Sequence, residues 1–393
     1  MARASSYSLA DLLAAKEMVV VCGSGGTGKT TVAAALGAQA ATRLGGRVLV
    51  LTVDPARRLA TALGLGAVGN TALQVPASAF ADAGVECRGE LWVAMLDTKA
   101  GWDDLIRRHA PDAALREQVL ANPLYRNITG RFVNSHDYIA MEQLHDLHAS
   151  GRYDLVIIDT PPSRNALDLL DAPGRMREFF GSRLLKWLTV PYRSRLFTVA
   201  SKPFYQVADR VLGSRFLQDI AEFFILFQTM EAGFVQRARE VERLLTDDRT
   251  TFVVVSTLEA APAREARFLA DELRRRRMPL GAMVLNRTLP AGLRQPAVTK
   301  AAGRLRDLAV DASAVRDLAK AASARPAQVR DVLLEVADRF RDITVVAGRE
   351  AERRAELATA APITAVVPTM PSDVHDLAGL LVLGGHLLGN GSR

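Results

Sequence analysis

The sequence predicts an α/β fold: a mostly parallel sheet flanked by helices, with an inserted α-helical subdomain. Three observations carry this. Short apolar, β-branched runs alternate with helical stretches along most of the chain. A glycine-rich turn joins the first of those runs to an alanine-rich helix. Two long stretches interrupt the alternation with helical periodicity and no clear strand.

The elements follow in order. Met18 to Cys22 is a continuous apolar run, as in a buried parallel strand. A helix is expected over Thr30 to Leu44. Further strands are expected at Arg47–Asp54, Leu91–Thr98, Tyr153–Asp159, Phe252–Thr257, Gly281–Asn286 and Ile363–Val367. The interrupting stretches are 99–149 and 173–249, read as one helical subdomain built from two insertions. Residues 1–98, 150–172 and 250–393 then form the α/β core. Within 216–245, Phe216, Ile220, Phe223, Phe224, Phe227, Met230, Phe234 and Val235 recur at three- and four-residue steps. Residues 300–360 are helical, charged and alanine-rich, and are expected to pack on the flank of the sheet.

Composition removes several function classes. The chain has 393 residues, 49% hydrophobic and 24% charged, which is a globular balance and not that of a disordered one. Cys22 and Cys87 are its two cysteines, too few for a disulfide framework, a four-ligand zinc site or a three-thiolate metalloid site. The first apolar run is five residues long, shorter than the ~7–15 of a secretory signal. No stretch approaches the ~20 apolar residues of a membrane span. A cytoplasmic location is expected.

Charge and aromatic residues are unevenly placed. The chain carries a net +7, and residues 173–215 hold nine Arg or Lys against Glu178 and Asp209, so this segment equals the whole imbalance. Twelve of the 23 aromatic residues lie within 179–234. Phe179, Phe180, Leu184, Leu185, Trp187 and Leu188 sit among Arg175, Arg177, Arg183 and Lys186. A basic amphipathic helix of this kind suits a membrane surface or a partner helix, while ordinary packing with a charged outer face remains the alternative.

The glycine-rich turn is specific. Gly23-Ser24-Gly25-Gly26-Thr27-Gly28-Lys29-Thr30 fits the phosphate-loop pattern G-x-x-x-x-G-K-[ST] of P-loop NTPases without a mismatch, after a strand and opening a helix. Glycines let backbone N–H groups turn inward around phosphate oxygens at a helix N-terminus that favours anions. Lys29 adds a point charge at the outer phosphates, and the Thr30 hydroxyl is placed to ligate Mg²⁺. Asp159 ends an apolar strand, where a carboxylate holds Mg²⁺ directly or through water. Asp54 ends the neighbouring strand and is the candidate to orient the attacking water, its alternative role being a helix N-cap.

Weaker groupings have plainer readings. Glu142, His145 and His148, with His136 nearby, lack an ordered metal-ligand set and read as a solvated helix face. Cys22 reads as a small core residue. Arg274 to Arg277 reads as a favourable helix C-terminal charge cluster.

Five motifs in order resemble the ArsA-like ATPases, which include the arsenite-pump ATPase and the ATPase that targets tail-anchored membrane proteins. Cys22 to Thr31 resembles the family's deviant Walker A. Asp54-Pro-Ala-Arg57 resembles switch I, and Asp159-Thr-Pro-Pro-Ser-Arg-Asn165 resembles switch II. Asn286 resembles the adenine-reading asparagine, and Val367-Pro368-Thr-Met-Pro371 the late loop beside the base. The resemblance implies ATP and Mg²⁺ as ligands, hydrolysis of ATP to ADP and phosphate, and a nucleotide-gated dimer with itself or a paralogous subunit. It also implies a helical subdomain that binds a hydrophobic or membrane-associated client, with peripheral membrane contact; nucleic acid is not the expected partner.

There are departures. Ser24 stands where the family usually has a lysine that reaches the partner's phosphates. Arg164 and Asn165 replace the usual switch II glycine and histidine. The targeting ATPases' C-x-x-C pair and the arsenite-binding cysteines are absent, which argues against arsenite transport. Arg57, Arg58 or Arg164 are candidates to replace the missing lysine. Two other readings remain open: a positioning ATPase of the MinD and ParA type, and a nucleotide-binding pseudo-ATPase subunit.

Overall fold

The structure is a computed structural model. It describes residues 8–53, 71–96, 112–122, 135–161 and 231–389, together with positions 63, 65, 103, 106, 107, 110, 125, 167, 168, 170–172, 174, 175 and 178. Eight strands are found among these residues: β1 Met18–Gly23, β2 Arg47–Thr52, β3 Leu73–Gln74, β4 Glu90–Met95, β5 Leu155–Asp159, β6 Thr250–Ser256, β7 Leu280–Thr288 and β8 Ile363–Pro368. They form one sheet in the order β3-β4-β2-β5-β1-β6-β7-β8. Every neighbouring pair is parallel except β3 with β4.

The seven strands expected from the sequence are all present, with ends moved by one to three residues. The eighth, β3, was not foreseen. It is two exposed residues long, too short to show any periodicity.

Helices cover both faces, as a parallel sheet requires. On one face lie α1 Leu9–Ala14, α2 Lys29–Gln39 and α3 Ala77–Asp82, with Leu377–Leu387 closing the chain on the same side. On the other face lie α5 Ser135–Ala149, α6 Glu231–Thr246 and α7 Ala260–Arg275. The remaining short helix, α4 Ala113–Ala121, is capped by the Asp112 carboxylate. The α2 helix is buried nearly all round, which its alanine content permits. The helix expected to run to Leu44 changes at Gln39 into a π-helical turn, Ala40–Leu44, where the Thr42 hydroxyl bonds the carbonyls of Ala38 and Gln39. Both interrupting stretches contribute to the α/β layer. Ala140, Met141 and Leu144 of α5 and Val241, Leu244 and Leu245 of α6 join the second core. Phe234, near the end of the expected periodic run, is fully buried; residues 179–230, with most of the basic aromatic segment, lie outside the described residues.

Residues 296–358 are helical as expected, and the last of their helices reaches the sheet's flank mainly at its foot. They form α8 Pro296–Val310, α9 Ala312–Ala321 and the 33-residue α10 Pro326–Ala358. These helices pack mainly on one another, through small buried residues such as Ala302, Ala309, Ala337 and Ala347. From this group, Leu357 at the foot of α10 joins the sheet's core. Along α10, Val332, Val336, Phe340, Ile343 and Val346 are exposed. The buried contacts among these helices are made largely by alanine, which lets neighbouring helices approach closely.

Candidate nucleotide-binding site

The phosphate loop leaves β1 at the middle of the sheet, between β5 and β6, and enters α2. Its backbone needs glycine at two places for different reasons. At Gly23 a Cβ would stand 2.1 Å from the Val255 carbonyl oxygen, so β6 approaches too closely for any side chain. At Gly28, which opens α2 with φ +90°, a Cβ would meet Asn286 Nδ2 at 2.5 Å. The N-cap of α2 is Gly28, which has no side chain to occupy the helix's first N–H groups.

Lys29 is buried, and its Nζ donates to the Ser24 carbonyl at 3.0 Å across the loop. Thr27 Oγ1 donates to the same carbonyl at 2.9 Å. Thr30 Oγ1 donates to Asp159 Oδ2 at 2.6 Å, and Thr52 Oγ1 donates to that oxygen at 3.0 Å. Asp159 is fully buried at the end of β5, so two expected Mg²⁺ residues meet where they were anticipated. A buried carboxylate beside a threonine hydroxyl is a hard-oxygen donor set, which fits Mg²⁺.

Asn286 also reaches the loop: its Nδ2 donates to the Thr27 carbonyl at 2.8 Å. Pro368 ends β8 opposite Thr288, and the Thr369 N–H donates to the Thr288 carbonyl at 2.9 Å. The two base-side residues implied by resemblance, Asn286 and Pro368, therefore belong to adjacent strand ends. Gly25 and Gly26 are exposed at the loop's outer turn, and Thr31 lies in the first turn of α2. Asp54, Arg57, Arg58, Arg164 and Asn165 lie outside the described residues.

Three residues at the site were missed. Thr52 ends β2 directly beside Asp159 on β5, and nothing in a β-branched run marks one threonine as polar-facing. Glu265, on α7, accepts a hydrogen bond from Ser24 Oγ at 2.5 Å. Arg287 donates from Nη1 to the Gly26 carbonyl at 3.3 Å. A long sequence separation hides Glu265. Arg287 was signalled only by adjacency to Asn286.

The weaker groupings resolve differently. Among the described residues no group of three or more His, Cys, Asp or Glu could hold a metal ion. Glu142, His145 and Asp146 of α5 meet Arg237 of α6, whose guanidinium contacts all three. His148 pairs with Glu17 at 2.9 Å. Both histidines are largely covered, so this is an interhelical charge network and not the solvated face expected. Burial, and then the positive Arg237, hold His145 below its ordinary pKa. The thiol of Cys22 is fully buried and pushed up to about 12 by burial, against the opposing charge of Lys29, which suits a core residue. Arg274 and Arg276 close the end of α7 by bonding the Ala360 carbonyl and Asp171.

No helix among the described residues is long and apolar enough to cross a membrane. Among known proteins, the chain is 28% identical over 273 residues to an uncharacterized protein, SCO2128, of Streptomyces coelicolor. That alignment covers 69% of this chain and 62% of the relative, so the chain spans under two thirds of that protein's length. The sequence model described as "anion-transporting ATPase" matches residues 16–306, which contain β1 to β7, the phosphate loop, Asp159 and Asn286. The chain belongs to this ArsA-like ATPase family.

Proposed function

We propose that the protein is a cytoplasmic, Mg²⁺-dependent ATP hydrolase that works as a nucleotide-gated dimer on a hydrophobic or membrane-associated client. The observation that carries the catalytic part is the Thr30–Asp159 hydrogen bond of 2.6 Å at the mouth of a complete phosphate loop. Thr30 and Asp159 hold Mg²⁺, which offsets charge on the phosphates. The loop amides and Lys29 bind the same oxygens, and Lys29 exchanges the Ser24 carbonyl for phosphate. Asp54 orients the attacking water. Asn286 keeps a second amide hydrogen and an acceptor lone pair for the base.

The client surface is assigned to the helical subdomain, 99–149 and 173–249, on the strength of its basic aromatic segment. The dimer partner is a second copy or a paralogue. Arsenite is not the expected cargo, since one of two cysteines is sealed in β1.

Phosphate release by the purified chain tests this reading, compared with Lys29→Ala and Asp54→Asn. Hydrolysis lost in the first and slowed in the second, with Mg–ATP still bound by the second, is expected. Mg–ATP binding without turnover in the parent protein would leave the pseudo-ATPase reading instead.

A further inference from the structure

We propose that Arg287 is a base-stacking residue that makes the site prefer a nucleotide over a bare polyphosphate chain. This rests on the ATP reading and assigns a wall to the base site whose floor is Asn286.

The argument begins with a break in β7. In a regular strand, successive side chains point to opposite faces, so Asn286 and Arg287 would diverge. Here the β7–β8 register slips between Leu285 and Thr288, and Arg287 adopts φ +54°. Both side chains consequently reach the same loop, Asn286 at the Thr27 carbonyl and Arg287 at the Gly26 carbonyl. Bulges beside active sites commonly re-aim a side chain in this way. The left-handed conformation is unfavourable for arginine and is readily adopted by glycine. A strained arginine at this place is therefore an observation that asks for a role.

Its surroundings supply one. The backbone N–H of Arg287 donates to Asn286 Oδ1 at 3.0 Å, which fixes the two residues relative to each other. The late loop is tied alongside by the Thr369–Thr288 hydrogen bond. Arg287 itself is exposed. Its guanidinium is anchored at one edge to the loop that binds phosphate, which leaves its planar face for a ring. Cations over aromatic faces and arginine planes on nucleobases are both favourable contacts. Such a contact does not depend on which base is present; it distinguishes a base from none.

A plainer role is that Arg287 only braces the loop. Titration calorimetry with Mg–ATP and with Mg–tripolyphosphate, which has no base or ribose, separates the two. Arg287→Ala is expected to weaken ATP by about 3- to 30-fold and tripolyphosphate by less than about twofold. Arg287→Lys, which keeps the charge and loses the plane, is expected to leave tripolyphosphate unchanged and to weaken ATP less than alanine does. Equal weakening of both ligands in Arg287→Ala, or unchanged ATP affinity, overturns the assignment. Failure of the parent protein to bind ATP would instead refute the ATP reading, so the two failures are distinguishable.

Discussion

Ser24 and Glu265 are joined by a 2.5 Å hydrogen bond between residues 241 positions apart, so the second residue of the phosphate loop is tied to α7. The ArsA-like resemblance implies a lysine at position 24, reaching outward to a partner. In this chain the position faces a carboxylate.

A lysine placed there would meet Glu265 before it met any partner. Ser24→Lys alone is therefore expected to leave ATP turnover unchanged, because Glu265 captures the ammonium. Ser24→Lys with Glu265→Gln frees it and is expected to raise turnover in the pure protein. Steady-state phosphate release from both variants checks this; a gain in the single variant would show that Glu265 does not hold the lysine.

Among the described residues, the Thr52 and Thr30 hydroxyls both donate to the fully buried Asp159 Oδ2. Thr52→Val keeps the shape and removes the donor. Stability should fall by about 1–3 kcal/mol in chemical denaturation. A loss within error would show that the second donor is dispensable to the carboxylate.

The loop glycines are not equivalent. Gly23→Ala places a methyl 2.1 Å from the Val255 carbonyl, whereas no atom lies within 4 Å of a Cβ at Gly26. Gly26→Ala should cost about 1–2 kcal/mol, for its φ of +78° alone. Gly23→Ala must move the backbone of β6 and should unfold at a clearly lower temperature than Gly26→Ala. Melting curves that rank the two equally would contradict the close approach of β1 and β6.

His145 gives stability a pH dependence of defined sign. Its pKa is lowered in the folded chain by burial and then by Arg237, so the fold favours the neutral ring. That contribution is intact above the unfolded value of about 6.5 and is lost as pH falls through the window beneath it. His145→Gln keeps an acceptor for Arg237 and should flatten the slope of stability between about pH 6.5 and 5. An unchanged slope would assign the acid sensitivity to other groups.

Most of the site was legible in the sequence because its signals are local. Gly23 to Thr30 is one contiguous pattern, and Asp159 ends a run of apolar residues. Strands such as β1, β2 and β5 announced themselves by burial on both faces, which makes them almost continuously apolar. What could not be read is pairwise and distant. Glu265 lies in an unremarkable amphipathic helix, and only the packing of α7 beside β1 brings it to Ser24. Arg287 depends on a register slip that no periodicity encodes. The α8–α10 helices were legible as helices but not in what they pack on, for a related reason: alanine in a helix specifies close approach without naming the neighbour.

The long α10 helix turns a local change into a measurable distance. Near its foot, Glu350 accepts the Leu289 N–H, two residues beyond Arg287, and Arg353 bonds the Leu258 carbonyl just after β6. Its 33 residues extend about 50 Å. A tilt of about 5° at the foot therefore sweeps the far end through about 4 Å. A spectroscopic label near Arg330, paired with one on α2, converts that arm into a pointer for the strand ends that hold Asn286 and Arg287.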